Sequence, residues 1–421
     1  MQPPGRAESG HRDEFDRLVD ERRVATVFQP IVNLQSGQVV GYEALTRGPA
    51  GSPFAQADAL FAHAYKVGRA AELDWLCRAA ALRHAHAAHL PNGTTLFLNV
   101  EPLSLRTPCP ADLLDTITAG LHRYFVVAEL TERALAHDPA AVLDAVRLAR
   151  EQDVGIALDD VGAKPASLAM MPLLQPDVIK LDLWLVQSQP GPVQAQIVNA
   201  VLAEAERTGA AILAEGIESA AHARMALAMG ATLGQGWRYG GPVSRPQHTA
   251  LAPRHAVPRL RIDGAAQRTP FEVVTKFRQA HPASKGLLLS LSRWIEYKAA
   301  DPSEPTVLLA SFQHARNLKG STKDRYTELG SQAIMVAVLG EEMEPHPADG
   351  VRGTALGRLD PLALEWVVIV IGPHFAAALV AVRETGATQR VSPFSYAITY
   401  DRELALAAAR PLLHRMRPLS P

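Results

Sequence analysis

The chain has 421 residues, 48% of them apolar and 6% aromatic, with 42 Lys and Arg against 43 Asp and Glu. That length predicts two or three cores, because single cores rarely grow past about 250–300 residues. A formal net charge of −1 excludes the broad basic surface of a general nucleic-acid binder. The two cysteines, Cys77 and Cys109, make neither a disulfide framework nor a metal spacing, which points to a reducing cytoplasm.

Residues 1–15 read as a flexible tail without the apolar core of a signal peptide. From about 26 to 246, within a domain assigned to 16–250, one pattern recurs: a short apolar run ends in an acid, amide or cation, and a helical stretch follows. The runs lie at 26–29, 39–43, 96–99, 125–129, 155–160, 178–180, 211–215 and 233–235. Stretches of helical period, such as 141–152 and 193–208, separate them. Alternating strands and helices predict a largely parallel sheet. Eight such units with polar strand ends favour an α/β (β/α)8-type barrel, whose site sits at the C-terminal face. The alternative is a doubly wound open sheet, but no Gly-rich fingerprint follows the first run.

Pro246, Pro253 and Pro258 mark a linker, assigned to 251–265. Residues 266–421 read as a compact α+β domain: a helix at 287–297, a strand at 306–312, a short helix at 323–329 and a strand at 333–339. Closely spaced strands and a closing helix at 403–416 follow. The apolar stretch 366–382 approaches the roughly 18 residues that suggest a membrane span. Gly372-Pro373-His374 interrupts it and its first half is β-branched, so two buried strands are expected, and no membrane association.

The strand ends carry the chemistry. Glu43, Asn99, Glu129, the pair Asp159-Asp160, Lys180, Glu215 and Gln235 form a set with no His or Cys. Oxygen ligands favour hard cations such as Mg²⁺ or Mn²⁺ over zinc. Acids crowded at one barrel mouth repel one another without a cation, and adjacent aspartates on a strand point in different directions. This is the layout of a two-metal site, with ions roughly 3.5–4 Å apart, acting on a phosphodiester. Lys180 and Glu215 are placed to orient and deprotonate the attacking water.

At these residues the chain resembles the EAL-domain cyclic di-GMP phosphodiesterases. The carrying segments are Phe28-Gln29-Pro30-Ile31-Val32, Glu43-Ala44-Leu45-Thr46-Arg47-Gly48, Leu98-Asn99-Val100 and Glu129-Leu130-Thr131-Glu132. Leu158-Asp159-Asp160, Ile179-Lys180-Leu181-Asp182, Ala214-Glu215-Gly216-Ile217-Glu218 and Gln235-Gly236 continue them in family order. The resemblance implies a barrel whose first strand is antiparallel, and hydrolysis of cyclic di-GMP to linear pGpG. It implies a first metal held by Glu43, Asn99, Glu129 and Asp159, and a second shared by Asp159 and Asp160. Lys180 then helps hold the water, Glu215 is the general base and Gln235 orients the site. Gln29 and Arg47 contact the dinucleotide, Asp74 matches a guanine-contacting aspartate, and Glu132 steadies the loop after the paired aspartates. A homodimer through this domain is implied as well.

That loop departs from the family's Phe-Gly-Thr-Gly-Tyr-Ser-Ser-Leu: here it reads Val161-Gly162-Ala163-Lys164-Pro165-Ala166-Ser167-Leu168. Ala163 lacks a hydroxyl, Lys164 replaces a glycine and Pro165 restricts the backbone. The alternative function is therefore a cyclic di-GMP receptor or signalling adaptor with weak or no turnover. The second domain resembles the DICT sensory domain at Lys285-Gly286-Leu287-Leu288-Leu289-Ser290, Val307-Leu308-Leu309-Ala310-Ser311-Phe312-Gln313 and the strand from Glu365 to Pro373. It implies regulation by an unknown ligand or partner. His84, His86 and His89 do not share a helix face and read as surface histidines. Lys319-Gly320-Ser321-Thr322 lacks the glycine of a phosphate loop and reads as a turn with a helix cap.

Overall fold

The apolar runs become the staves of a closed barrel. The computed structural model describes residues 4–164, 166–189, 191–246, 269–301, 304–383 and 394–419. β1 (Ala25–Asn33) and β2 (Val39–Arg47) are joined by a turn in which Asn33 Oδ1 accepts from the Gln35 and Ser36 N–H groups. A connection this short permits only antiparallel pairing, since a parallel crossover needs a dozen residues or more. β3 (Thr95–Asn99), β4 (Phe125–Leu130), β5 (Gly155–Val161), β6 (Val178–Leu181), β7 (Ala211–Ala214) and β8 (Leu233–Gln235) then run parallel to β2. β8 closes on β1 antiparallel, with Gln235 opposite Ile31. The barrel and its reversed first strand match the expectation.

α1 (Pro4–Asp20) precedes the barrel, so the tail expected at 1–15 is corrected from Pro4 onward, where the chain is helical. Phe15, Leu18 and Val19 recur at helical spacing and bury against Phe54, Leu60, Leu73 and Leu76. α2 (Ala57–Val67) and α3 (Ala70–Ala87) follow β2, and α4 (Leu114–Arg123) follows β3. α5 (Glu132–His137) and α6 (Pro139–Glu151) follow β4, α7 (Ala166–Leu174) follows β5, and α8 (Leu183–Gln187) and α9 (Pro192–Thr208) follow β6. α10 (Ala220–Ala228) precedes β8. The linker expected at 251–265 lies outside the described residues.

The C-terminal unit opens with α11 (Pro270–Thr275), whose first turn is closed by reciprocal bonds between Thr269 and Glu272. β9 (His281–Ala283), α12 (Lys285–Ala299), β10 (Val307–His314), α13 (Ser321–Gln332), β11 (Met335–Glu341) and β12 (Val351–Leu356) come next. β13 (Glu365–Ile371), β14 (Ala376–Arg383), β15 (Phe394–Thr399) and α14 (Arg402–Arg415) complete it. The sheet order is β12-β11-β10-β13-β14-β15-β9, and the stretch 366–382 is indeed a pair of buried strands. Among the described residues no helix is long and apolar enough to cross a membrane.

The two units share one apolar core. Leu404, Ala408, Leu412 and the outward residues of β13 and β14 join Leu143, Val146, Met171 and Leu174 of the barrel layer. Polar stitches fix the register of this seam. Arg352 of β12 donates to the carbonyls of Ala136 (2.6 Å) and His137 (3.0 Å), closing the C-terminal end of α5. Arg410 donates to Gln175 Oε1 (2.8 Å), Gln175 Nε2 donates to Glu403 Oε2 (3.0 Å), and Arg207 pairs with both Glu403 and Glu204.

Two outcomes follow from this packing. Arg352→Ala removes three charge-assisted bonds to backbone carbonyls, those of Ala136, His137 and Arg417, each worth about 1.5–3 kcal/mol; hydrogen exchange of α5 should accelerate with little change in α9. Glu365 is buried at the start of β13, accepts from the Phe271 N–H at 2.9 Å, and is pushed up to about 7 by burial. Because folding raises its pKa, its contribution is complete below the ordinary glutamate value and is lost as pH rises through about 7. Amide protection of β13, corrected for intrinsic exchange, should fall between pH 5 and 8 in the wild type and stay level in Glu365→Gln.

Candidate active site

Strand periodicity alone lifts the functional side chains to one end of the barrel. Side chains two apart share a face, and Phe97, Phe125, Val127, Ala157, Val178, Leu213 and Leu233 fill the barrel interior. Two residues beyond the last interior residue of each strand stand Asn99, Glu129, Asp159, Lys180, Glu215 and Gln235. On the reversed β1 the same rule places Gln29 above Ile31. The polar layer is therefore a direct continuation of the apolar one, at the C-terminal mouth.

Lys180 stands at its centre, 1% exposed. Its Nζ lies 2.6 Å from Glu129 Oε1, 2.9 Å from Asp159 Oδ1, 2.9 Å from Glu215 Oε1 and 3.7 Å from Glu43 Oε1. Burial by itself would discharge the ammonium, but the surrounding carboxylates, led by Asp159 and Glu129, hold it protonated and raise its pKa well above the ordinary lysine value. Glu129 is raised well above its ordinary value by burial and by the Glu43 charge, against the pull of Lys180. Burial pushes Glu215 up to about 8, with Lys180 opposing.

A second chain of bonds runs across the mouth. Gln235 Nε2 donates to Glu43 Oε2 (2.6 Å) and Gln29 Oε1 (3.1 Å), and Gln29 Nε2 donates to the Gly240 carbonyl. Asn99 Nδ2 reaches Glu43 Oε1 at 3.5 Å. Asp159, Asp160 and Glu215 each offer an oxygen within 4.8 Å of the others. Asp160 holds a left-handed backbone (φ 54°), uncommon away from glycine.

The donor set fits a divalent cation. Four carboxylates around one ammonium leave surplus negative charge, and Glu129 Oε2 and Gln235 Oε1 are buried without a hydrogen-bond donor among the described residues. Unpaired buried acceptors of this kind cost about 1–3 kcal/mol each, and a hard cation satisfies them.

Arg47 borders a cleft of about 320 Å³ beside this layer, walled also by Phe61, Arg78, Asn99 and Glu101. Asp74 is not in that wall. It is 2% exposed, its carboxylate taken by Arg78 Nη2 (2.6 Å) and the Glu101 N–H (3.2 Å). Glu101 was not singled out from the sequence; its signal is an acid two residues beyond Asn99, at the mouth. The side chain of Glu132 lies outside the described residues. In the altered loop, Ser167 Oγ accepts from Gly162 N–H (3.2 Å) and donates to the Lys164 carbonyl (2.8 Å). A Cβ on Gly162 would meet Leu185 at 2.4 Å, and its φ of 102° also demands glycine. His86 and His89 are exposed, and His84 Nδ1 lies 3.2 Å from Thr26 Oγ1.

Comparison with known proteins places this barrel among relatives. An uncharacterised Sinorhizobium fredii protein is 30% identical over 232 residues, 53% of this chain and 27% of its own. An uncharacterised Mycobacterium tuberculosis protein is 30% identical over 234 residues, 54% of this chain and 38% of its own. The chain thus spans well under half the length of these curated relatives. The cyclic di-GMP phosphodiesterase RocR of Pseudomonas aeruginosa is 26% identical over 232 residues, 54% of this chain and 59% of its own. Among solved structures, a manganese/cyclic di-GMP complex of Klebsiella pneumoniae BlrP1 is 26% identical, covering 52% of this chain and 56% of that one, with a TM-score of 0.46. The sequence model of the DICT domain, described as a sensory domain in diguanylate cyclases and two-component systems, matches residues 270–384. That of the EAL domain matches residues 12–242, more than half of the sequence. The chain belongs to the EAL-domain family.

Proposed function

We propose that this chain hydrolyses one phosphodiester of cyclic di-GMP, giving linear pGpG, with Mg²⁺ or Mn²⁺ as cofactor. The observation that carries the reading is the buried oxygen layer around Lys180, with its surplus charge and two unpaired acceptors. Glu43, Asn99, Glu129 and Asp159 would hold one cation, and Asp159 with Asp160 a second. Bound there, the pair would neutralise the carboxylates and polarise the scissile phosphate.

The remaining work falls to side chains. Arg47 offers the planar fork that suits a phosphate oxygen at the cleft wall. Lys180, held protonated, donates but does not accept, so it orients the attacking water. Glu215 takes the proton as the water oxygen bonds to phosphorus and the phosphorus–ester oxygen bond breaks, and the departing ester oxygen takes up a proton from solvent to become the free hydroxyl of pGpG. A pKa raised into the neutral range suits a general base. Gln235 fixes Glu43 and Gln29 in place.

The C-terminal unit is read as the regulator. Arg352 grips the end of α5, the helix that follows the strand carrying Glu129, and α5 packs on α7, whose first turn belongs to the altered loop. A change in the sheet therefore has a packed route to the mouth. Free thiols at Cys77 and Cys109 support a cytoplasmic setting. The second reading, a receptor with little turnover, is favoured by the loop itself: Ala163 and Lys164 stand in it, and Ser167 ties it to its own backbone.

Purified full chain with Mg²⁺ or Mn²⁺ should release pGpG, and Glu43→Ala should lower the rate at least about a hundredfold with an unchanged circular dichroism spectrum. Tight binding without product in either metal would replace this reading with the receptor. Lys180→Met leaves the carboxylates unopposed and should cost about 3–5 kcal/mol in the metal-free protein. Added Mn²⁺ should restore part of that loss in thermal unfolding, since a cation can then supply the missing charge.

A further inference from the structure

We infer that Glu101 reads the base of the bound dinucleotide, accepting hydrogen bonds from the N1–H and exocyclic N2–H of guanine. The inference rests on the cleft being a cyclic dinucleotide site.

The family resemblance implies Asp74 as the carboxylate for this role, but here the Asp74 carboxylate is engaged within the fold. Arg78 and the Glu101 N–H hold it beneath the surface. What that buried carboxylate does instead is anchor Glu101. The Glu101 N–H is fixed to Asp74, and its carbonyl accepts from both the N–H (3.1 Å) and the Oγ (2.8 Å) of Ser104. A side chain with so little backbone freedom enters the cleft in one place.

Its carboxylate is only partly satisfied. The Tyr65 hydroxyl donates to Oε2, which leaves the remaining acceptor positions of a group that can take about four bonds. Phe61 stands in the same wall, offering an aromatic face to a base, and Arg47 stands beside both for the phosphate. Guanine presents two adjacent donors, which a carboxylate accepts together. Adenine presents one donor and one acceptor on the corresponding edge. Against a carboxylate that acceptor goes unpaired, so the same side chain that binds guanine rejects adenine.

Calorimetric titration of the full chain in Ca²⁺ with cyclic di-GMP and with cyclic di-AMP tests this. Wild-type protein should prefer cyclic di-GMP at least about tenfold. Glu101→Gln should lose most of that preference by weakening cyclic di-GMP binding, with cyclic di-AMP affinity unchanged, and Glu101→Asp should keep part of it. Tyr65→Phe, which frees the carboxylate to swing, should erode the preference less. Retention of wild-type affinity and preference in Glu101→Gln overturns the assignment alone. An equal loss for both dinucleotides also overturns it, because that marks general damage to the cleft. Wild-type protein that binds neither dinucleotide overturns the reading of the site and the assignment with it.

Discussion

Four carboxylates, those of Glu43 and Glu129 buried and those of Asp159 and Glu215 half-buried, converge on the ammonium of Lys180, and the geometry of the barrel mouth depends on that encounter. Each charge would be costly alone in such a place, and together they hold one another ionised or share protons. The arrangement is incomplete as an ion cluster, since negative charge exceeds positive and two acceptors lack donors among the described residues. Incompleteness of this kind is costly in a structural core and useful in a binding site. It explains why the polar layer stands directly on an apolar one. The hydrophobic interior of the barrel gives stability and low dielectric, and two residues further along each strand the same face turns polar.

The same economy links the two units. The sheet of the C-terminal unit does not merely rest on the barrel: its inner face and the barrel helices form one apolar cluster, with arginines at the seam satisfying helix-end carbonyls and acids. Two packed surfaces of this sort move as rigid bodies or by discrete repacking. α5 is where such repacking would be felt, because its C-terminal end belongs to the seam and its N-terminal end belongs to the mouth.

Much of the mouth was legible in the sequence because strand periodicity is strict. A polar residue two positions after an interior apolar residue faces the axis, so Glu129, Lys180 and Glu215 are readable without coordinates. Burial is not periodic in this way, which is why the enclosure of Asp74 and the place of Glu101 in the cleft wall could not be read from the sequence. Both acids flank the cleft in sequence, and only packing decides which one reaches it. The helix at the N-terminus was hidden by a polar, Gly- and Pro-bearing start, although Phe15, Leu18 and Val19 carried the period that buries it. The seam was illegible, since Arg352 sits on a strand of the second unit and its partners are backbone carbonyls, which no side-chain pattern announces.

The most direct measurement is a count of Mn²⁺ ions bound by the full chain, read by electron paramagnetic resonance of the titrated protein. The account predicts two ions per chain in the wild type, magnetically coupled to each other, with coupling lost in Glu129→Gln. Isolated Mn²⁺ signals indifferent to Glu129→Gln, or no binding at all, would contradict it.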